Sequence, residues 1–150
     1  MKRALLTAMI AASLATTAAA QDHALVLTGA GRFAIFADVA SVTPDGDGVR
    51  MRSLQVSEED MVIGGVAYAG GWSWWRFDCV AQTADRLDFA SLHADGVEGP
   101  ITAEKAPPYA IAPGGDAAEL AAVACGSEAP AADAISTGEA VRIGRERMKD

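Results

Sequence analysis

Apolar and polar positions alternate along much of this chain with the two-residue period of a β-strand. Phe33 to Val42 is rich in aromatic and β-branched residues, and Val49 to Val56 alternates apolar with polar for most of its length. Between them stands Thr43-Pro44-Asp45-Gly46-Asp47-Gly48, where proline presets one turn dihedral and glycine accepts positive φ. The pattern predicts a β-hairpin. Val62 to Val80 reads as two further strands broken at Gly70-Gly71, and Arg86 to His93 as another strand closed by Ala94-Asp95-Gly96. Alternation with polar neighbours places Phe36, Leu54, Trp75, Phe77 and Leu87 in the core.

The period changes in the last third. Pro100 to Pro108 reads as a loop, and Tyr109 to Gly115 as the lead into a helix over Ala117 to Cys125. Asp116 is placed to cap that helix, Glu119 completes a capping box, and Gly126 stands at a C′ position. Leu120, Ala121 and Ala124 form its apolar stripe, so Leu120 joins the expected core. Ser127 to Asp133 reads as a linker, and Ser136 with Glu139 caps a final helix over Ala140 to Met148, whose basic end suits a helix C-terminus.

All three tryptophans fall within Gly71-Trp72-Ser73-Trp74-Trp75-Arg76-Phe77-Asp78-Cys79. In a strand, Trp75, Phe77 and Cys79 share one face while Trp72, Trp74 and Arg76 share the other. The first face is expected in the core. Trp72, Trp74 and Arg76 are then the candidate binding face, with side-chain types that dominate recognition surfaces. The competing reading is that the N-terminal strand or the C-terminal tail covers both tryptophans and they serve stability alone.

The N-terminus has the pattern of an export signal over residues 1–20: Lys2 and Arg3, an apolar stretch from Ala4 to about Leu14, then Ala18-Ala19-Ala20 before Gln21. That apolar stretch is too short for a membrane span. The expected organisation is a signal at 1–20, a folded domain over 21–126, and a linker with a possible C-terminal helix over 127–150. Export also bears on the two cysteines: outside the cytoplasm, Cys79 and Cys125 are expected to pair as a disulfide. The chain carries a formal charge of −8, and losing Lys2 and Arg3 with the signal takes it to −10. Such a chain repels phosphate backbones, so nucleic acid is not an expected partner.

Chemical motifs are sparse. Thr28-Gly29-Ala30-Gly31-Arg32-Phe33-Ala34 imitates a dinucleotide turn but is followed by strand rather than helix, so it reads as a glycine loop and no cofactor is expected. Asp45-Gly46-Asp47-Gly48 and Glu58-Glu59-Asp60 do not match a calcium loop, His23 at the mature N-terminus and His93 at a strand end read as surface residues, and no metal site is expected. There is no nucleophile elbow and no H-E-x-x-H. No catalytic residue is expected.

The run Phe77-Asp78-Cys79, the later basic Arg86, Tyr109-Ala110-Ile111-Ala112-Pro113-Gly114-Gly115, Leu120 and Ala124-Cys125 together resemble the surface-adhesin E-like family of small exported bacterial proteins. Tyr109 stands where that family often has Trp, and Gly115 where it often has Ser. The resemblance implies an α+β fold, an antiparallel meander-like sheet packed by one or two helices with one disulfide, and it brings no catalytic residues. The expected function is a non-catalytic, adhesin-like interaction module of the cell envelope, periplasmic or secreted, with a protein or glycan partner. The alternative is a periplasmic inhibitor or ligand-binding protein that uses the Trp72/Trp74 face.

Overall fold

A computed structural model describes residues 22–150; the expected signal at 1–20 lies outside the described residues. The dominant element is an antiparallel sheet built by hairpin connections. Its strands are β1 (Leu25–Ala30), β2 (Phe33–Asp45), β3 (Gly48–Ile63), β4 (Val66–Asp78), β5 (Thr83–Arg86), β6 (Asp88–His93), β7 (Thr102–Ala103) and β8 (Tyr109–Ala110). The main order is β1-β2-β3-β4-β5-β8, with β6 beside β4 and β7 beside β6. Two helices follow, α1 (Asp116–Ala124) and α2 (Thr137–Arg147).

The hairpin expected around Asp45–Gly48 is present, with Phe36 paired to Leu54 across β2 and β3. The expected break at Gly70-Gly71 is not. β4 runs unbroken through both glycines, and the chain instead reverses at Gly64-Gly65, both at positive φ, so that Ile63 pairs with Val66. Gly70 instead permits close approach of the neighbouring strand, since a Cβ there would lie 1.9 Å from the Gln55 carbonyl oxygen of β3. The expected single strand from Arg86 to His93 is two strands. β5 pairs the C-terminal half of β4 and β6 the N-terminal half, with an interruption at Leu87. There Leu87 N–H donates to the Trp74 carbonyl, while Trp74 N–H donates to the Asp88 carboxylate.

Strand alternation divides the core between the two sheet faces. On one face Ile35, Ala37, Met51, Trp75, Phe77 and Ala84 pack under Leu120, Ala121 and Ala124 of α1. On the other Leu25, Ala34, Phe36, Leu54, Val56 and Trp72 pack with Ala134 and Ala140 from the C-terminal segment. Phe36, Leu54, Trp75, Phe77 and Leu120 are therefore buried as expected, whereas Leu87, at the β5–β6 interruption, is only half-buried.

The helix ends also differ from expectation in one case. Gly115, not Asp116, is the N-cap of α1, and no side chain caps it. For α2 the expected cap forms: Ser136 Oγ accepts from Glu139 N–H, and the Glu139 carboxylate accepts from Ile135 N–H. Segment 133–134 continues the sheet edge, since Leu25 N–H donates to the Ala134 carbonyl and Leu27 N–H to the Asp133 carboxylate. Cys79 and Cys125 are disulfide-bonded, their Cα atoms 5.8 Å apart, which ties the C-terminal end of α1 to the end of β4. Among the described residues no helix is long and apolar enough to cross a membrane.

Candidate functional site

β3 and β4 place Arg50 opposite Arg76, Arg52 opposite Trp74 and Leu54 opposite Trp72, all on one face. α2 covers only part of that face: its Gly144 sits over Ala34 and Phe36, and Arg145 donates to the Ser57 carbonyl and pairs with Asp60. Trp72 lies within the covered part. It is 1% exposed, with the His23 ring stacked on it at 5.0 Å between centroids and the Arg52 guanidinium 4.3 Å from its ring centroid. Trp72 thus belongs to the core, and of the three expected face residues Trp74 and Arg76 remain half-exposed.

The exposed remainder is the Trp74 indole set among the arginines of β3 and β4. Arg50 lies 4.6 Å above the Trp74 ring, a distance at which the ring quadrupole attracts a cation. Arg52 is fixed by a two-point contact with Glu98, and Arg76 by Asp47 and the Asp45 carbonyl of the β2–β3 turn. Arg50 has no carboxylate partner among the described residues. The arginines at 50 and 52 were missing from the sequence-derived face, although their alternation in β3 mirrors that of the tryptophans in β4.

Beside Trp74 is an open depression of about 280 Å³, lined by His23, Asp38, Ser41 and Arg52 among others. His23 is not the loose surface residue expected from its position. Its Nδ1 lies 2.8 Å from Asp38 Oδ2, and its side chain is 13% exposed. Asp38 is 3% exposed and also accepts from Ala24 N–H, so this buried carboxylate is fully engaged. Ser41 sits where β2 bulges against β3 between Asp38 and Thr43. Its hydroxyl donates to the Asp38 carbonyl and accepts from Arg52 N–H, so the proton that a nucleophilic serine gives to histidine is committed to the backbone.

The opposite face carries a second concavity, which the sequence did not indicate. Between the sheet and the N-terminal end of α1 is a cavity of about 300 Å³. Its floor includes Ser53 and Ser73, directly opposed across β3 and β4 and 5% and 7% exposed. Ser53 Oγ accepts from the Trp75 indole N–H, and Ser73 stands beside it on the cavity floor. Arg86, Tyr109 and the first turn of α1 form the rim. Arg86 pairs with Glu104, and burial raises the Tyr109 pKa above the ordinary tyrosine value, so its hydroxyl is a donor at neutral pH.

The remaining sequence candidates have structural roles. Asp47 holds Arg76 and Asp60 holds Arg145, which accounts for one carboxylate in each acidic run. Of the expected glycine loop, Thr28 to Ala30 belong to β1 and only Gly31-Arg32 turn the chain into β2, and His93 packs its ring edge-on to Tyr68. Comparison of the chain with protein-family models, with curated proteins and with solved structures finds no match.

Proposed function

We propose that this protein is a non-catalytic, exported binding module of the bacterial cell envelope, which engages a protein or glycan partner through Trp74 and the flanking arginines. One observation carries the reading: Trp74 stays half-exposed under Arg50 on the part of the sheet that neither helix covers. Tryptophan and arginine are the side chains most enriched where binding energy concentrates. Export is supported by the signal-like residues 1–20 and by the disulfide, a bond typical of oxidising compartments. The surface-adhesin E-like resemblance supports the same compartment, with its sheet, Pro-Gly turn and helix ending in the partner cysteine.

A second reading, an inhibitor or small-ligand binder on the same strand face, draws on the depression beside Trp74. Capture from envelope fractions and from a glycan array, with purified protein and its Trp74→Ala and Arg50→Ala variants, tests both. A macromolecular partner predicts loss of capture in each variant with the melting midpoint nearly unchanged. Equal capture by parent and variants removes Trp74 from the binding surface.

A further inference from the structure

We propose that the far end of the β3–β4 hairpin, Glu58 to Val66, is a docking arm for an extended segment of another protein in which apolar residues alternate with lysine or arginine. Every residue from 58 to 66 is exposed, Val62 at 70% and Ile63 at 64%. The arm is nonetheless paired within itself, Met61 with Tyr68, Val62 with Ala67 and Ile63 with Val66, about the Gly64-Gly65 turn. Directly paired residues share a face, so Met61, Ile63, Val66 and Tyr68 form one apolar side. Packing of this fold does not require that side to be apolar, and a contiguous exposed apolar surface marks an interaction site.

The neighbours of the arm stop short of it. β2 joins β3 only as far as Ser57, and β6 joins β4 only as far as Tyr68. On the β4 side the Ala67 carbonyl already accepts from Ala94 N–H. Along β3 no strand follows beyond Ser57 among the described residues, so the outward backbone groups between Glu58 and Ile63 are open to an added strand. Arg145 fixes the base of the arm to α2 by donating to the Ser57 carbonyl and pairing with Asp60, which holds the edge in place.

Charge selects the occupant. No lysine or arginine stands between Ser53 and Trp75, and the whole chain carries −8. Glu58 and Glu59 take part in no ion pair among the described residues. A cationic segment is therefore steered to the arm, and its basic residues find two free carboxylates beside the apolar side chains. Acidic residues by themselves guard an open edge against self-pairing, yet that role leaves Met61, Val62, Ile63 and Val66 unexplained. A lipid surface is disfavoured, because anionic head groups repel these carboxylates and the arm lacks the Lys, Arg and Trp that anchor interfacial segments. A second copy brings the same acidic edge and the same net charge. The arm lies at the opposite end of β3 from Arg50, so this surface is separate from the one proposed around Trp74.

The test is an NMR titration of the purified protein with a capped peptide of alternating valine and lysine. The controls are valine/glutamate and serine/lysine peptides and the valine/lysine peptide with every amide N-methylated, which cannot donate as a strand. The valine/lysine peptide should saturably shift the amides of Glu58 to Ile63 and leave the Trp74 indole unmoved, with each control about tenfold weaker or more. Glu58→Lys/Glu59→Lys and Val62→Ser/Ile63→Ser should each weaken binding several-fold with the melting midpoint nearly unchanged, because all four side chains are solvent-exposed. Absence of saturable shifts in the arm, equal binding of any control, or variants that bind like the parent would each overturn the proposal. So would the same shifts on adding phosphatidylglycerol vesicles, or an oligomer in sedimentation that Val62→Ser/Ile63→Ser dissolves, since lipid or a second copy would then be the occupant.

Discussion

Trp72 and Trp74 point to the same side of β4, yet one is core and the other surface. Their alternation was legible in the sequence, because a strand has only two faces. The cover over Trp72 comes from the N-terminal end, through His23, and from the C-terminal segment, as the competing reading had it; that this cover stops short of Trp74 was not legible, because both covering segments are remote in the chain. Trp72→Ala should lower stability by about 3–5 kcal/mol in denaturant melts. Trp72→Phe, which keeps an aromatic ring and deletes an indole N–H that is buried without a partner, should lose much less. Trp74→Ala should leave the midpoint nearly where it was; a loss as large as that of Trp72→Ala would place Trp74 in the core as well. Tyr109 offers a check by pH. Its raised pKa means the folded state keeps a proton that the unfolded chain releases. The resulting contribution is complete below about pH 10 and is lost as pH rises through the folded value. Tyr109→Phe should therefore lose less stability than the parent on going to strongly alkaline pH.

At the scale of elements, local chemistry was informative where it names one conformation and ambiguous where two glycine pairs compete. Gly64-Gly65 between apolar runs is a two-residue hairpin signal, but Gly70-Gly71 offers the same dipeptide a few residues later. The second pair is small because neighbouring groups approach it, Gln55 backbone at Gly70 and the Phe89 ring at Gly71, which only tertiary structure reveals. The reversal at Gly64-Gly65 leaves Met61, Val62, Ile63 and Val66 exposed at the hairpin tip. The Ser136 cap was legible for the opposite reason, since a capping box needs only neighbours in sequence. Gly144 gives a test in which propensity and packing oppose each other. Alanine is favoured over glycine in a helix interior by about 1 kcal/mol, yet a Cβ at Gly144 would stand 2.8 Å from Ala34 Cβ and 3.1 Å from the Phe36 ring. Ala34 cannot swing aside, so α2 must move off the sheet. Gly144→Ala should lower the melting midpoint, and a rise would mean that α2 does not seat on Ala34.

At the scale of the whole molecule, the sheet is held from both sides by helices attached in different ways. α2 is anchored along its length, through Gly144 on the sheet, Arg145 to Ser57 and Asp60, and segment 133–134 on the edge of β1. α1 is a short helix, of a length marginal by itself, and lacks a side-chain N-cap; its C-terminal end is fixed to β4 by Cys79–Cys125. The pairing was readable because only two cysteines were present in a chain with an export-like start. The cavity under the opposite end of α1 was not readable, because its floor and roof are far apart in sequence. Double substitution of Cys79 and Cys125 by serine should cost about 2–4 kcal/mol if constraint of the unfolded chain dominates. The same change should act unevenly in the folded state. Hydrogen exchange at the amides of Leu120 to Ala124 should accelerate well beyond any change at Ala140 to Gly144, because the C-terminal end of α1 loses its cross-link to β4 while α2 keeps all of its contacts. Equal acceleration in both helices would show that the disulfide stabilises the fold only globally, and that packing of Leu120, Ala121 and Ala124 suffices to hold α1 on the sheet.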